Sequence, residues 1–397
     1  MINIFKSLFH NLRRVVARGW LLFHRNVEII GITGSYGKTN TTNAISTVLA
    51  EKFKVLQTDT NLDTRFNIPI TVLKLGEHQK LILEYGVDKP GEMDYHLFVT
   101  KPKIAVITGI TPVHADRSHF GSLENIVKEK SKLAASVPEN GWVIINWDDQ
   151  LSRQIGEVVR GKTIFFGRNR YHCQFWASHI KTNFNGTTFK FHLRNSSHIV
   201  RIPLIGRHHV NTAMAAAVVG ILSGMKWREI KSGLSKLAPL EGRGNIEPGP
   251  KDSVILNDSR RSNPASAVAG IQTLADLHAK RKIAVIGEMG ELGKYEEEGH
   301  RAVGHKAALS KPDYLICVGP ATKYTAEEAR KGMRKSQVIW VRDVFEAAGI
   351  LSGILRKGDL WYLKGSLLKH LERIPLIIEG KDVDPDEIAS SRYEIYR

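Results

Sequence analysis

The sequence predicts an α/β chain of two domains, each built on a mostly parallel sheet, and three observations predict it. Short apolar, β-branched runs recur at helix-length intervals along most of the 397 residues. A 42% hydrophobic share gives a chain of this length enough apolar surface for real cores. A crowd of Pro and Gly residues interrupts the alternation once, near residues 239–250. Disordered, collagen-like and mini-protein readings are thereby excluded.

The elements follow in order. Residues 1–27 predict a basic amphipathic helix: they contain no acidic residue, while Lys6, Arg13, Arg14, Arg18 and Arg25 are basic. At a helical period Ile4, Phe5, Leu8, Phe9, Leu12, Val15, Val16 and Trp20 share one side, with Lys6, His10, Arg13, Arg14 and Arg18 opposite and Leu21 interrupting the polar side. Such a face suits an anionic leaflet or the chain's own first domain. No apolar run reaches the ~18 residues of a transmembrane helix, and no small-residue cleavage site follows, so neither a span nor a signal peptide is expected. Next come parallel-strand candidates at 27–33, 53–57, 80–84, 104–108 and 142–146. Shorter polar-alternating strands between 163 and 203 predict an antiparallel excursion, and a helix begins near His208. Pro239, Gly242, Gly244, Pro248, Gly249 and Pro250 read as a linker, after which strands at 253–257, 282–287, 314–319, 338–341 and 360–363 form a second series. The expected division is 1–27 for the helix, 28–247 for the central domain and 248–397 for the C-terminal domain.

Charge and cysteine content narrow the setting. Fifty-seven basic residues against 40 acidic leave +17, which favours polyanionic partners such as nucleic acid, an acidic membrane or phosphorylated metabolites. Only two cysteines, Cys173 and Cys317, are present, too few for a disulfide framework, and a reducing compartment such as the cytoplasm fits.

The strongest chemical signal is Gly31-Ile-Thr-Gly34-Ser35-Tyr-Gly37-Lys38-Thr39, between the first strand and a helix. Glycines turn backbone N–H groups toward phosphate oxygens, the helix N-terminus adds its dipole, Lys38 supplies a cation, and the Thr39 hydroxyl can bind Mg²⁺. The loop departs from the general P-loop at Ile32, where that form has glycine. Nucleotide binding is the expectation.

The Thr-Gly-x-x-Gly-Lys-Thr variant resembles the Mur ligase superfamily, and from Glu28 to Gly380 the chain is most similar to its MurF-type members, ATP-dependent ligases that add D-alanyl-D-alanine to a UDP-muramoyl peptide. Further blocks carry the resemblance: Thr60-Asn-Leu-Asp-Thr-Arg-Phe-Asn-Ile-Pro-Ile-Thr71, Leu83-Glu84-Tyr-Gly86 with Pro90-Gly-Glu92, Thr108-Gly-Ile-Thr-Pro-Val-His114, Gly206-Arg-His208, Gly242-Arg243, Asn257-Asp258-Ser259, Gly287-Glu-Met-Gly-Glu-Leu-Gly293 and Lys364-Gly-Ser366. It implies a central P-loop ATPase domain and a C-terminal Rossmann-like α/β domain. It also implies ATP and Mg²⁺, with Lys38, Lys130 and His114 as catalytic residues and Thr39, Glu84, His114 and Lys130 at the metal. Lys130 aligns with a lysine the family carries as a carbamate. Nucleotide contacts would come from Gly34, Ser35, Gly37, Lys38, Thr39, Thr41, His209, Asn211, Arg243 and Asp258. Substrate contacts would come from Asn263 and Lys364, and from Arg260 and Arg261, which depart from the family pattern but offer bidentate donors for a carboxylate.

Each assignment has a plainer counterpart. Glu84 and His114 could be structural, Lys130 could belong to a solvated charge run with Lys128, Glu129 and Lys132, and Arg243 and Asp258 could be surface residues. The chain also departs from the family. His209 and Thr212 replace two asparagines, Lys132 replaces a glutamate, Arg260-Arg261-Ser262 replaces Tyr-Asn-Ala, and Leu367 replaces an arginine. Ahead of Glu28 only the basic helix stands where the family has a UDP-sugar domain. The expected reaction is ligation of a carboxylate to an amine through an acyl phosphate, with a cell-wall precursor and an amino acid or dipeptide as substrates. Alternatives are a poly-γ-glutamate, folate-type or lipid-linked acceptor, or a non-catalytic P-loop binding protein. No nucleic-acid reader is recognised.

Overall fold

In the computed structural model the chain divides into two compact units; residues 2–59, 64–194 and 196–383 are described, with residues 2–8, 64 and 368 described by backbone alone. The first unit comprises Met1–Ile180, Thr188–Ile202 and Val210–Leu237; the second comprises Lys181–Thr187, Pro203–His209 and Ala238–Arg397.

The chain opens with helix α1 (Ile2–Leu21) and then alternates β1 (Glu28–Thr33), α2 (Lys38–Leu49), β2 (Val55–Gln57), α3 (Thr64–Val72), β3 (Lys80–Glu84), α4 (Glu92–Val99), β4 (Ile104–Ile107), α5 (Leu123–Ala135) and β5 (Trp142–Asn146). Strands β6 (Lys162–Gly167), β7 (Phe175–Asn183), β8 (Gly186–Leu193) and β9 (Ser196–Ile202) complete a nine-stranded sheet of order β2-β3-β1-β4-β5-β6-β7-β8-β9. Strands β1, β3, β4 and β5 carry apolar runs because both faces are covered, as parallel pairing through helical crossovers requires, while the short edge strand β2 is only half-buried. The excursion expected to be antiparallel from residue 163 begins with parallel pairing, since β6 continues the register of β5 and Phe166 then pairs parallel with Phe175.

Strand order reverses beside β1: the chain goes out from β1 to the edge strand β2, returns through β3 next to β1, and then runs outward from β4 to β6 on the other side. That reversal opens a crevice at the C-terminal strand ends, where α/β sheets hold ligands. The loop 34–37 leaves β1 at this point.

In the second unit the order is β10 (Asn245–Gly249), β11 (Ser253–Asp258), β15 (Leu360–Lys364), β12 (Lys282–Gly287), β13 (Tyr314–Val318) and β14 (Val338–Val341). All pairs are parallel except β10 with β11. Strand β10 corrects the linker reading of this Pro/Gly-rich stretch, because Pro248 lacks an N–H but is tolerated on an edge strand. Ile283, Val285, Ile316, Leu351, Trp361 and Leu363 form the core beneath this sheet.

Helix α1 packs on α3 and α4, but by the side opposite its apolar stripe. Ala17 is fully buried, the His10 ring stacks on Phe66 at 3.9 Å, and the Arg14 and Arg18 guanidinium groups lie 4.5 and 4.8 Å from the ring centres of Tyr95 and Phe98. The apolar side is exposed at Phe9, Leu12, Val15 and Val16, while Trp20 at its margin donates to Leu75 O at 3.2 Å; the side chains of Ile4, Phe5 and Leu8 lie outside the described residues, so the reading in which that face docks on the chain's own first domain fails over residues 9–16. Aromatic rings on the receiving helices account for the inversion: they accept guanidinium planes by cation–π contact, with no carboxylate needed. Among the described residues no helix is long and apolar enough to cross a membrane.

Candidate active site

The loop after β1 is shaped by glycine. Gly37 caps α2 in the left-handed region, which frees the first N–H groups of the helix and starts it at Lys38. A Cβ on Gly34 would run into Thr108 Oγ1 and the Gly109 carbonyl, so only glycine lets this backbone lie against the end of β4. Thr108 Oγ1 donates to Tyr36 O at 2.6 Å, Ser35 N donates to Gly109 O at 2.7 Å, and the Tyr36 hydroxyl donates to Asp149 at 3.0 Å. The loop is thus held from three sides. Lys38 Nζ donates back to Gly34 O at 2.9 Å, folded over the loop it would share with a phosphate. The buried Ser35 hydroxyl has no protein partner among the described residues, as expected of a group that awaits an anion. Thr41 is buried in the first turn of α2, where its N–H donates to Gly37 O at 2.9 Å.

A second set of groups converges beside this loop. Thr39 Oγ1 donates to Glu84 Oε1 at 3.4 Å, with Glu84 at the C-terminal end of β3. His114, in the left-handed region after β4, lies 3.6 Å from Asp88 and edge-on to His119 at 5.1 Å between ring centres. Burial holds His114 at about 4, with nearby Lys38 and Lys130 adding to the effect against Asp88. At neutral pH the imidazole is therefore uncharged, and its approach to Asp88 is not an ion pair. A neutral imidazole is the form that binds a metal.

Lys130 lies on the inner face of α5 and is only 3% exposed, which removes the solvated-face reading. Burial, reinforced by Lys38, lowers its amine from 10.5 to about 7, although Asp88, Glu129 and Glu84 favour the charged form. Lys132, by contrast, turns to Asp94 at 2.6 Å and Glu129 at 2.9 Å, so its charge is neutralised outside the cluster. Asp88, which acts on both His114 and Lys130, was not singled out from the sequence. Its only signal there is an acid four residues after Glu84, beyond the same strand end.

The remaining first-unit candidate, Asn211, donates to Asp148 Oδ2 at 3.3 Å and lies beside Asn146. In the second unit Asp258 ends β11 and Lys364 ends the adjacent β15. Asp258 accepts from Lys364 Nζ at 2.8 Å and from the Tyr362 hydroxyl at 3.0 Å. Burial lowers the Lys364 amine, and Arg243 adds to the effect while Asp258 opposes it. His209 is buried beside His208, with its Nδ1 lacking a partner among the described residues, and burial holds it well below its ordinary value. Asn263 caps the helix Pro264–Asp276 by accepting from Ser266 N at 2.9 Å, a structural duty for its side-chain oxygen. Arg260 is half-buried against Gly242 and Arg261 is exposed; among the described residues neither forms an ion pair.

The first unit thus presents a glycine-shaped anion cradle with a lysine, a hydroxyl, a carboxylate, a neutral imidazole and a lysine of lowered basicity at one sheet edge. That donor set suits a phosphate chain and a divalent cation shared by Thr39, Glu84 and His114. Comparison with known proteins agrees with this class. The Mur ligase middle domain matches residues 32–220, and the Mur ligase, glutamate ligase domain matches residues 242–367. The chain belongs to the Mur ligase family of ATP-dependent peptide ligases. It is 31% identical over 315 residues to the UDP-N-acetylmuramoyl-tripeptide--D-alanyl-D-alanine ligase of Buchnera aphidicola subsp. Baizongia pistaciae, covering 79% of this chain and 68% of that protein. It is 30% identical over 349 residues to the Bacillus subtilis enzyme of the same name, covering 87% and 75%. Among solved structures, MurF from Acinetobacter baumannii superposes with a TM-score of 0.84 at 25% identity, covering 94% of this chain and 81% of that one. MurF from Thermotoga maritima in complex with ADP shares the fold at a TM-score of 0.81 and 22% identity, covering 94% and 84%.

Proposed function

We propose that the chain joins a carboxylate of a peptidoglycan peptide precursor to the amine of a D-Ala-D-Ala-like dipeptide or amino acid. The observation that carries the reading is the meeting of the Gly34–Thr39 loop with Glu84, His114 and Lys130 at the reversal point of the first sheet. Similarity to D-alanyl-D-alanine ligases over most of the chain supports the choice of substrates.

The chemistry follows from charge. Bringing a carboxylate to the γ-phosphorus of ATP opposes two anions, and the site must mask that repulsion. The N–H groups of residues 36–38 and the dipole of α2 receive the phosphate oxygens, while Lys38 supplies a mobile cation that can follow the terminal phosphoryl group. A carboxylate oxygen attacks the γ-phosphorus, ADP leaves, and the acyl phosphate forms. The amine then attacks the acyl carbon, loses a proton, and expels phosphate to leave an amide. Mg²⁺, held by Thr39, Glu84 and His114, would supply further charge neutralisation.

Lys130 fits this scheme as a carbamate. An amine near 7 is substantially uncharged at neutral pH, and the uncharged form adds CO₂ with loss of one proton, which converts a buried cation into an anion beside the metal ligands. In the second unit, Asp258 and Arg243 are proposed to contact the nucleotide, and Arg260 and Arg261 offer bidentate donors to a substrate carboxylate.

The test is phosphate release from ATP with a panel of UDP-muramoyl peptides and D-Ala-D-Ala. Release that requires both acceptor and amine, with a product heavier by the dipeptide less one water, is expected. Silence on that panel together with turnover on a poly-γ-glutamate, folate-type or lipid-linked acceptor would overturn the substrate assignment.

A further inference from the structure

We propose that the outward face of α1 rests on an anionic phospholipid bilayer. The inference stands on the N-terminal helix alone and does not depend on the reading of the active site.

Docking of α1 by its basic side leaves its apolar side uncovered over residues 9–16. Phe9, Leu12, Val15 and Val16 are 57, 59, 55 and 49% exposed, and Leu22 and Phe23 in the following turn are 61 and 82% exposed. Phe9, Leu12, Val16 and Phe23 continue one stripe at helical spacing, with Gly19 adding open space between them. A contiguous apolar strip of this kind marks a contact surface.

Charge selects the occupant. Among the described residues Arg13, Arg18 and Arg25 have no carboxylate within ion-pair distance: Arg13 lies 4.7 Å from the Phe9 ring centre, Arg18 lies over Phe98, and Arg25 donates to Leu22 O. They flank the apolar strip in a segment without any acidic residue. Arg18 also lines an open groove of about 790 Å³ with Phe98, Lys101 and Lys132, where the one acid, Asp94, is taken by Lys132. An apolar stripe bordered by unneutralised cations matches acyl chains beneath anionic headgroups. A second copy of the chain is a poor occupant, because a two-fold contact through this face would bring the same arginines together on two bodies that each carry +17.

The experiment uses the full chain and sedimentation with two kinds of vesicle: phosphatidylcholine alone, and phosphatidylcholine with about one third phosphatidylglycerol. The expected result is binding to the anionic vesicles only, weakened when salt rises from about 0.1 to about 0.5 M. The double variant L12E/V16E alters exposed positions only. It should keep the wild-type circular dichroism and melting temperature while binding the anionic vesicles roughly tenfold or more weakly. Failure of the wild type to bind anionic vesicles, equal binding by L12E/V16E, or a wild-type dimer in analytical ultracentrifugation that this variant abolishes would overturn the proposal.

Discussion

Replacing Lys130 with Met is predicted to stabilise the fold while abolishing ligation. The amine is 3% exposed and held at about 7, against 10.5 when unfolded. Between those values the unfolded chain binds a proton that the folded chain does not, so the group's contribution to stability rises with pH across that window. Below about pH 7 both states are protonated and the whole penalty stands. A gap of ~3.5 units at about 1.36 kcal/mol each is ~5 kcal/mol, and allowing about one unit for local relaxation leaves ~3–5 kcal/mol. Met fills similar volume without the charge. Urea unfolding in CO₂-free buffer at pH 6.5 should therefore show Lys130→Met more stable by ~3–5 kcal/mol, a difference that shrinks as pH approaches 10. Its ligase turnover should fall by ~100-fold or more, and Lys130→Ala should regain part of its activity with added short carboxylic acids. A variant less stable than wild type at pH 6.5, or one with unchanged turnover, would refute the reasoning.

Gly34→Ala should lose ATP-dependent activity, because the added methyl meets Thr108 and the Gly109 carbonyl and the loop must move; nucleotide titration of the purified variant checks this. Asp258→Asn leaves the 2% exposed Lys364 without its anion, and urea unfolding should record a loss of ~3 kcal/mol. His96 is buried, donates from Nε2 to Gly86 O at 2.8 Å, and is held by burial at about 4 instead of 6.5. Its unfolded form takes up a proton first as pH falls, so the protein should lose ~3 kcal/mol between pH 6.5 and 4. Melting curves of His96→Gln across that range should show the reduced acid sensitivity.

Much of this was legible because the chemistry is local. The loop 31–39 is contiguous, its strand and helix flank it directly, and its glycines have a conformational reason that sequence can state. Lys130 was legible only through resemblance, since its neighbours Lys128, Glu129 and Lys132 look like a solvated face; burial separates them by rotating Lys130 inward and Lys132 toward Asp94. Asp88 was missed because its relation to His114 is made by the sheet edge and not by spacing. The direction in which α1 faces is not legible in the sequence for a different reason: amphipathicity describes the helix, whereas docking depends also on the surface that receives it, here Phe66, Tyr95 and Phe98. Strand β10 was hidden by Pro248, whose presence excludes a central strand but not an edge.

Ligation as proposed requires that the loop ending at Lys38 and Thr39 hold the phosphates of ATP. Calorimetric titration of the full chain with ATP, with and without Mg²⁺, beside Lys38→Met, tests it directly. Saturable, Mg²⁺-dependent binding that Lys38→Met loses is the predicted result; absence of binding by the wild type, or equal binding by the variant, would contradict it.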